Sequence, residues 1–327
     1  MAATGQGRPA AVRVGREVVL PAVASEYHQF YRTAHFRWWR PLVALVMLVP
    51  VWFAVNAVLI PAGLAIVGEL DVEALRQDRL DVNTPTVYLL NNLSIIVAIP
   101  LAWAAHRVVF GQQVRWLSSV EGRFRWNAFW PFVGLSALAI GLPALIPTLL
   151  NAVRGVPLGL KILPETWFLL AVVLLTTPLQ AAAEEIALRG MATRALGSWF
   201  RSRGVGLLVA TALTVVAFML FHGAGDPWLN VYYLAAGLCA SLLVWRTGGL
   251  EGAIALHVVN NLFAGMFLPF IGTSGVFDRQ AGAADASTLV GVAGLLGATA
   301  LILWQAKDLG LRSRTAPAAA TGEASTA

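Results

Sequence analysis

Long apolar runs separated by short polar connections dominate this chain. Windows long enough to cross a hydrocarbon core, which takes about 20 apolar residues, fall near 41–67, 86–105, 128–150, 166–188, 205–222, 228–245, 250–272 and 286–305. The pattern predicts an all-α protein: a polytopic membrane bundle of about eight transmembrane helices. The fifth and sixth are the hardest to separate, because only "HGAGDP" (222–227) lies between them.

Composition agrees with the pattern. Apolar residues make up 58% of the 327, charged residues 12%, and mean hydropathy is +0.70; soluble chains carry about 25% charged residues. Loop charge then orients the bundle. With the N-terminus on the cytoplasmic side, only Arg76, Arg79, Arg154, Lys161 and Arg279 of the 23 basic residues fall outside, while most acids of the first connection (Glu69, Asp71, Glu73, Asp78, Asp81) also fall there. The positive-inside rule therefore favours eight spans with both ends cytoplasmic. The formal charge of +6 follows from that topology. It calls for a lipid bilayer and for no nucleic-acid partner, since the arginines form no stripe.

Five segments result: a basic N-terminal segment (1–40), three spans with their loops (41–165), a core holding the polar intramembrane residues (166–272), a last span (273–312), and a low-complexity tail (313–327) expected to be disordered. Residues 1–40 are polar and basic, and the first apolar window is too long for a signal-peptide h-region. Cys239, the single cysteine, lies in an apolar span and excludes a disulfide framework. Arginine preferred over lysine, with heavy alanine usage, points to a GC-rich bacterial genome and hence a bacterial cytoplasmic membrane.

Ionisable residues inside the spans cluster in the second half of the chain, and such residues are functional candidates by default. In "PLQAAAEEIALRG" (178–190), Glu185 and Arg189 stand at i, i+4 with the acid first, the favourable order for a pair on one helical face. Glu184 is rotated about 100° away, outside direct reach of Arg189, and suits a general base. "FMLFH" sets Phe218 and His222 at i, i+4, ring beside imidazole. "HVVNN" does the same for His257 and Asn261, with Asn260 adjacent. If α-helices four and five turn near 202–204, Glu184 and His222 lie equally far from the turn and face each other.

"EEIALR", "FMLFH" and "HVVNN", in that order, resemble the EExxxR, FxxxH and HxxxN motifs of the CAAX protease and bacteriocin-processing (CPBP, or Abi) family, which includes the type II CAAX prenyl endopeptidases. The resemblance spans about 166–265. "RWLSSVEGRFRW" (115–126) also resembles a connector of a bacterial subgroup. The family implies an intramembrane endopeptidase in which water activated by Glu184 and His222 attacks a peptide carbonyl. Glu185 and Arg189 support the first helix, and His257 and Asn261 donate to the oxyanion. One departure is Leu188, where the family commonly has an aromatic before the motif arginine. The substrate implied is a membrane-associated protein or peptide, CAAX-type or otherwise. No cofactor is required by spacing alone. If one divalent metal such as zinc takes part, Glu184, His222 and His257 are its ligands, although Asn261 beside His257 suits hydrogen-bond donation better.

Rival readings fare worse. "HGAGD" contains GxGD, but every Asp other than Asp226 falls in a loop, so no second membrane aspartate shares a proton with it; "HGAGDP" reads as a tight turn. No HExxH occurs. A transporter predicts symmetric halves with broken helices, whereas the polar groups here sit in one half. The alternative from another class is a non-catalytic scaffold or bacteriocin-immunity-type protein of the same fold.

Overall fold

The computed structural model describes residues 20–77 and 80–315. Most of the basic N-terminal segment and the tail beyond 315, expected to be disordered, lie outside the described residues. Among the described residues eight helices are long and apolar enough to span a membrane: α1 (Trp39–Val67), α2 (Pro85–Phe110), α3 (Trp126–Val153), α4 (Thr166–Gly197), α5 (Arg203–Phe221), α6 (Pro227–Thr247), α7 (Glu251–Ile271) and α8 (Thr288–Asp308). No strand occurs among them beyond two isolated bridges. The protein is an integral membrane protein. Its outward faces are apolar, with Ile66, Val108, Leu149, Leu208 and Leu220 all exposed, as lipid contact requires. Trp38, Trp39 and Trp126 are exposed near the ends of α1 and α3, where amphipathic rings favour the interface.

Between the spans, packing relies on small side chains. Ala181 and Ala183 of α4 and Ala253 and Ala255 of α7 are fully buried, and α4 packs on α7 and α2, α6 on α5 and α8, and α7 on α3. Without a hydrophobic drive between helices in lipid, close approach of small residues supplies the van der Waals contact. A second buried cluster joins α1, α2 and α4 through Ala44, Leu48, Ala98, Ala102 and Met191.

Helix α4 departs from regularity twice. Pro178 lacks an amide hydrogen for the turn before it, and the helix is interrupted at Thr176, whose hydroxyl donates to the Val172 carbonyl at 2.7 Å. Further on, Ile186–Ala192 forms a π-helical turn, a feature that recurs at functional sites. The helix continues to Gly197, beyond the apolar window at 166–188. Arg189 and Arg194, counted above with a cytoplasmic connection, are therefore buried helix residues, both 0% exposed. The basic asymmetry of the connections survives without them.

The N-terminal segment packs over the arginine-rich end of the bundle. Tyr27–Gln29 forms a 3₁₀ turn, and Tyr27, His28, Gln29, Phe30 and Tyr31 are all buried, although the sequence marks this segment only as polar and basic. The Arg194 guanidinium lies over the rings of Tyr27 and Phe30, 3.7 and 4.4 Å from their centroids. The Tyr31 hydroxyl meets His106 Nδ1 at 2.8 Å. Arg314 and Thr315, at the start of the low-complexity tail, pair with Glu26 and Ser25. Beside them Arg125, just before α3, makes a two-pronged pair with Glu251 in the first turn of α7: Nη2 to Oε2 at 2.6 Å and Nε to Oε1 at 3.0 Å. Gly249 is required here, since a Cβ would overlap both Arg125 Nη2 and Glu251 Oε2.

Candidate active site

The polar intramembrane residues of α4, α5 and α7 converge. Glu185 and Arg189 form the pair that the helical spacing predicts, Nη1 to Oε1 at 3.2 Å, across the π-helical turn. Both are buried, and the Arg189 guanidinium lies over the Phe218 ring at 4.5 Å. Gly237 of α6 admits this approach, because a Cβ there would stand 3.1 Å from Arg189 Nη2. The same Glu185 oxygen accepts a hydrogen bond from His257 Nδ1 at 2.8 Å. The other ring nitrogen of His257, Nε2, lies 3.7 Å from Glu184 Oε2. His257 thus sits between the two glutamates, hydrogen-bonded to Glu185 alone.

Glu184 differs from its neighbour. Its Oε1 accepts from the Gln180 amide one turn earlier, while Oε2 is buried and has no hydrogen-bond partner. Just past the end of α5, His222 Nδ1 donates to the Phe218 carbonyl at 2.7 Å, which leaves Nε2 as the free ring nitrogen. The imidazole lies edge-on to Phe218, centroids 4.6 Å apart, and stacks on Tyr233 of α6 at 3.8 Å. Asn261 donates to Gln180 Oε1 at 3.1 Å and accepts from Asn260, which in turn accepts from the Tyr232 hydroxyl.

A cavity of about 730 Å³ brings Glu184, His222, Asn260 and Asn261 to one wall. A second cavity of about 40 Å³ lies between His222, His257 and Asn261. That is room for one water, whose share of liquid volume is about 30 Å³. Every site residue picked from sequence is therefore in one cluster. Four contributors were missed. Gln180, which holds both Glu184 and Asn261, was visible one turn before Glu184 in "QAAAE". Tyr232 and Tyr233 give no local signal. Asn92 of α2 donates to Thr176 and Thr177 at 2.8 and 3.2 Å, tying α2 to the break in α4; its signal is the "NN" in an apolar span.

The donor set does not suit zinc. A catalytic zinc needs three convergent ligands with an open position; here Nδ1 of His257 is taken by Glu185, and only Nε2 is left toward Glu184. No group of three or more His, Cys, Asp or Glu among the described residues is arranged to hold a metal ion. The GxGD aspartate is spent structurally: Asp226 accepts from the backbone of Trp228 and Leu229 through Oδ1 and from Gly282 through Oδ2.

The fold and this cluster define a polytopic helical membrane protein with a buried, glutamate-based polar site. Residues 165–263 match the family described as type II CAAX prenyl endopeptidase Rce1-like, a protease family. The match runs from α4 into α7 and includes the site residues Glu184 to Asn261. The chain is also similar to the uncharacterized protein YyaK of Bacillus subtilis (strain 168), 26% identical over 199 residues, covering 58% of this chain and 64% of that protein. No solved structure matches.

Proposed function

We propose that the chain is an intramembrane endopeptidase that hydrolyses a peptide bond of a membrane-associated protein or peptide with water activated by Glu184 and His222. The observation that carries this reading is the buried, unpartnered Oε2 of Glu184 at the wall of a cavity it shares with His222. A buried acceptor with no partner is costly, and a base waiting for a water proton accounts for it. Glu184 takes one proton from water as the oxygen bonds to the carbonyl carbon. The C–N bond then breaks as that proton passes to the departing amine, leaving a carboxylic acid and an amine. Asn261 has a second amide hydrogen to offer the oxyanion. His257, held by Glu185, stands beside it, and Arg189 keeps Glu185 in place.

The test is peptide mapping of new N- and C-termini in membranes carrying either the wild type or Glu184→Gln at equal abundance. Termini present only with the wild type support proteolysis and identify the substrate. Identical termini, with a deletion phenotype rescued equally by both, favour the scaffold reading.

A further inference from the structure

The cavity reaches the connections at one end of the bundle. Its lining residues outside the spans are His222, Gly223, Val276, Phe277, Arg279 and Gln280, all in connections at the arginine-poor end. The connections of the arginine-rich end contribute nothing to it. There the Tyr27–Tyr31 segment is buried, and a separate cavity of about 510 Å³ lies beside Arg125, with none of the catalytic candidates in its lining. The positive-inside rule makes the arginine-rich end cytoplasmic.

The rim is also built. The Arg279 carbonyl accepts from Gly225 N at 2.8 Å and Asp226 N at 3.2 Å, and Asp226 Oδ2 accepts from Gly282 N at 2.9 Å on the far side of the same loop. The backbone at Arg279 is thereby clamped over the cavity. Among the described residues lining it, Arg279 is the only Lys or Arg. Its guanidinium makes one hydrogen bond, to the Val276 carbonyl at 3.3 Å, and no ion pair among the described residues. A half-buried arginine with donors to spare at the rim of the cavity suits a carboxylate, which matches the guanidinium fork.

We infer that this cavity is loaded from the non-cytoplasmic face and that Arg279 selects peptides carrying a carboxylate close to the scissile bond. The carboxylate is either a peptide C-terminus or an acidic side chain. The inference rests on the proteolytic reading for the chemistry, but not for the side of entry.

Two measurements test it. In a Cys239→Ala background, Gln280→Cys and Arg312→Cys are each exposed to a membrane-impermeant maleimide in intact bacterial cells. Labelling of Gln280→Cys in intact cells, and of Arg312→Cys only after lysis, is expected; the reverse overturns the side of entry whether or not the protein is a protease. Next, the reconstituted full-length protein is given lipid-anchored peptides that differ only in a free or amidated C-terminus, or in Glu against Gln near the cut. Arg279→Gln should raise KM for the acid member of one pair about ten- to hundred-fold, leave kcat and the amide member unchanged, and be partly rescued by Arg279→Lys. The pair that responds identifies the source of the carboxylate. Equal loss on acid and amide members overturns the selection by Arg279. If no peptide is cleaved, the proteolytic reading fails instead. Fluorescence anisotropy of the same peptides on Glu184→Gln protein then decides the role of Arg279, since an acid preference abolished by Arg279→Gln supports it and equal binding of acid and amide refutes it.

Discussion

Two buried arginine–glutamate pairs hold this bundle, and they are built differently. At the arginine-rich end every guanidinium nitrogen of Arg125 is engaged: Nε and Nη2 by Glu251, Nη1 by the Thr247 carbonyl at 2.9 Å. Both Glu251 oxygens are used as well, and the carboxylate sits in the first turn of α7, where the helix dipole favours it. Within the membrane, Arg189 uses Nη1 alone, while its Nε and Nη2, Glu185 Oε2 and Glu184 Oε2 have no hydrogen-bond partner. Burial is the same, since all four paired residues are at most 2% exposed. A satisfied network specifies a structure, whereas a partly satisfied one retains hydrogen-bonding capacity at an energetic cost. On the proposed function, the difference separates a pair that is architecture from a pair that surrounds chemistry.

The largest expected effect separates the two by activity. Glu184→Gln keeps the shape and the Gln180 contact but removes the base, so cleavage should fall by about 10²–10⁴-fold with the thermal unfolding midpoint unchanged. A variant that loses both together would break the distinction. Next comes Arg125→Ala, which leaves Glu251 buried and unpaired. It should cost about 3–5 kcal/mol, read as a lowered midpoint in detergent or reconstituted lipid, while protein that survives at low temperature keeps the wild-type kcat.

The same contrast explains what was legible in the chain. The eight spans follow from apolar windows, because a bilayer leaves each helix a length to fill. Glu185–Arg189 follows from i, i+4 spacing and survives the π-helical turn. Arg125–Glu251 was not legible: the two lie 126 positions apart, each at the edge of a span where charge is ordinary. The burial of Tyr27–Tyr31 was hidden for a similar reason, since its anchors, Arg194 and His106, lie on distant helices. Sequence spacing reports contacts along one helix. Contacts between helices, such as Tyr233 on His222 or Asn92 on Thr176, have no such period.

A smaller effect sharpens the comparison by exchanging charge geometry alone. Lysine is a point charge and cannot reproduce a fork. Arg125→Lys should therefore lose most of the stability lost by Arg125→Ala. Arg189→Lys has one hydrogen bond to replace, so it should keep the fold and lower kcat about ten-fold, a change of about 1.4 kcal/mol in the barrier, with KM little altered. Steady-state kinetics beside thermal unfolding distinguishes the two, and matching profiles for both lysine variants would collapse them into one class.

The smallest effect concerns a carboxylate that is fully satisfied and outside the spans. Burial alone would raise the Asp226 carboxyl, but backbone donors from Leu229, Gly282, Ala284 and Trp228 outweigh it and hold it below the usual aspartate value of 3.8. A group depressed in the folded state contributes stability that is complete above its unfolded pKa and is lost as pH falls through the folded one. Asp226→Asn should therefore lower the unfolding midpoint slightly at pH 7, and on the proposed mechanism, which assigns the chemistry to Glu184, kcat should persist. The gap between wild type and variant should stay constant down to about pH 4 and close below it. A gap that widens with acid would mean that Asp226 is stabilised in its protonated form. Asp226 would then belong with the unsatisfied carboxylates of the membrane interior and not with Glu251.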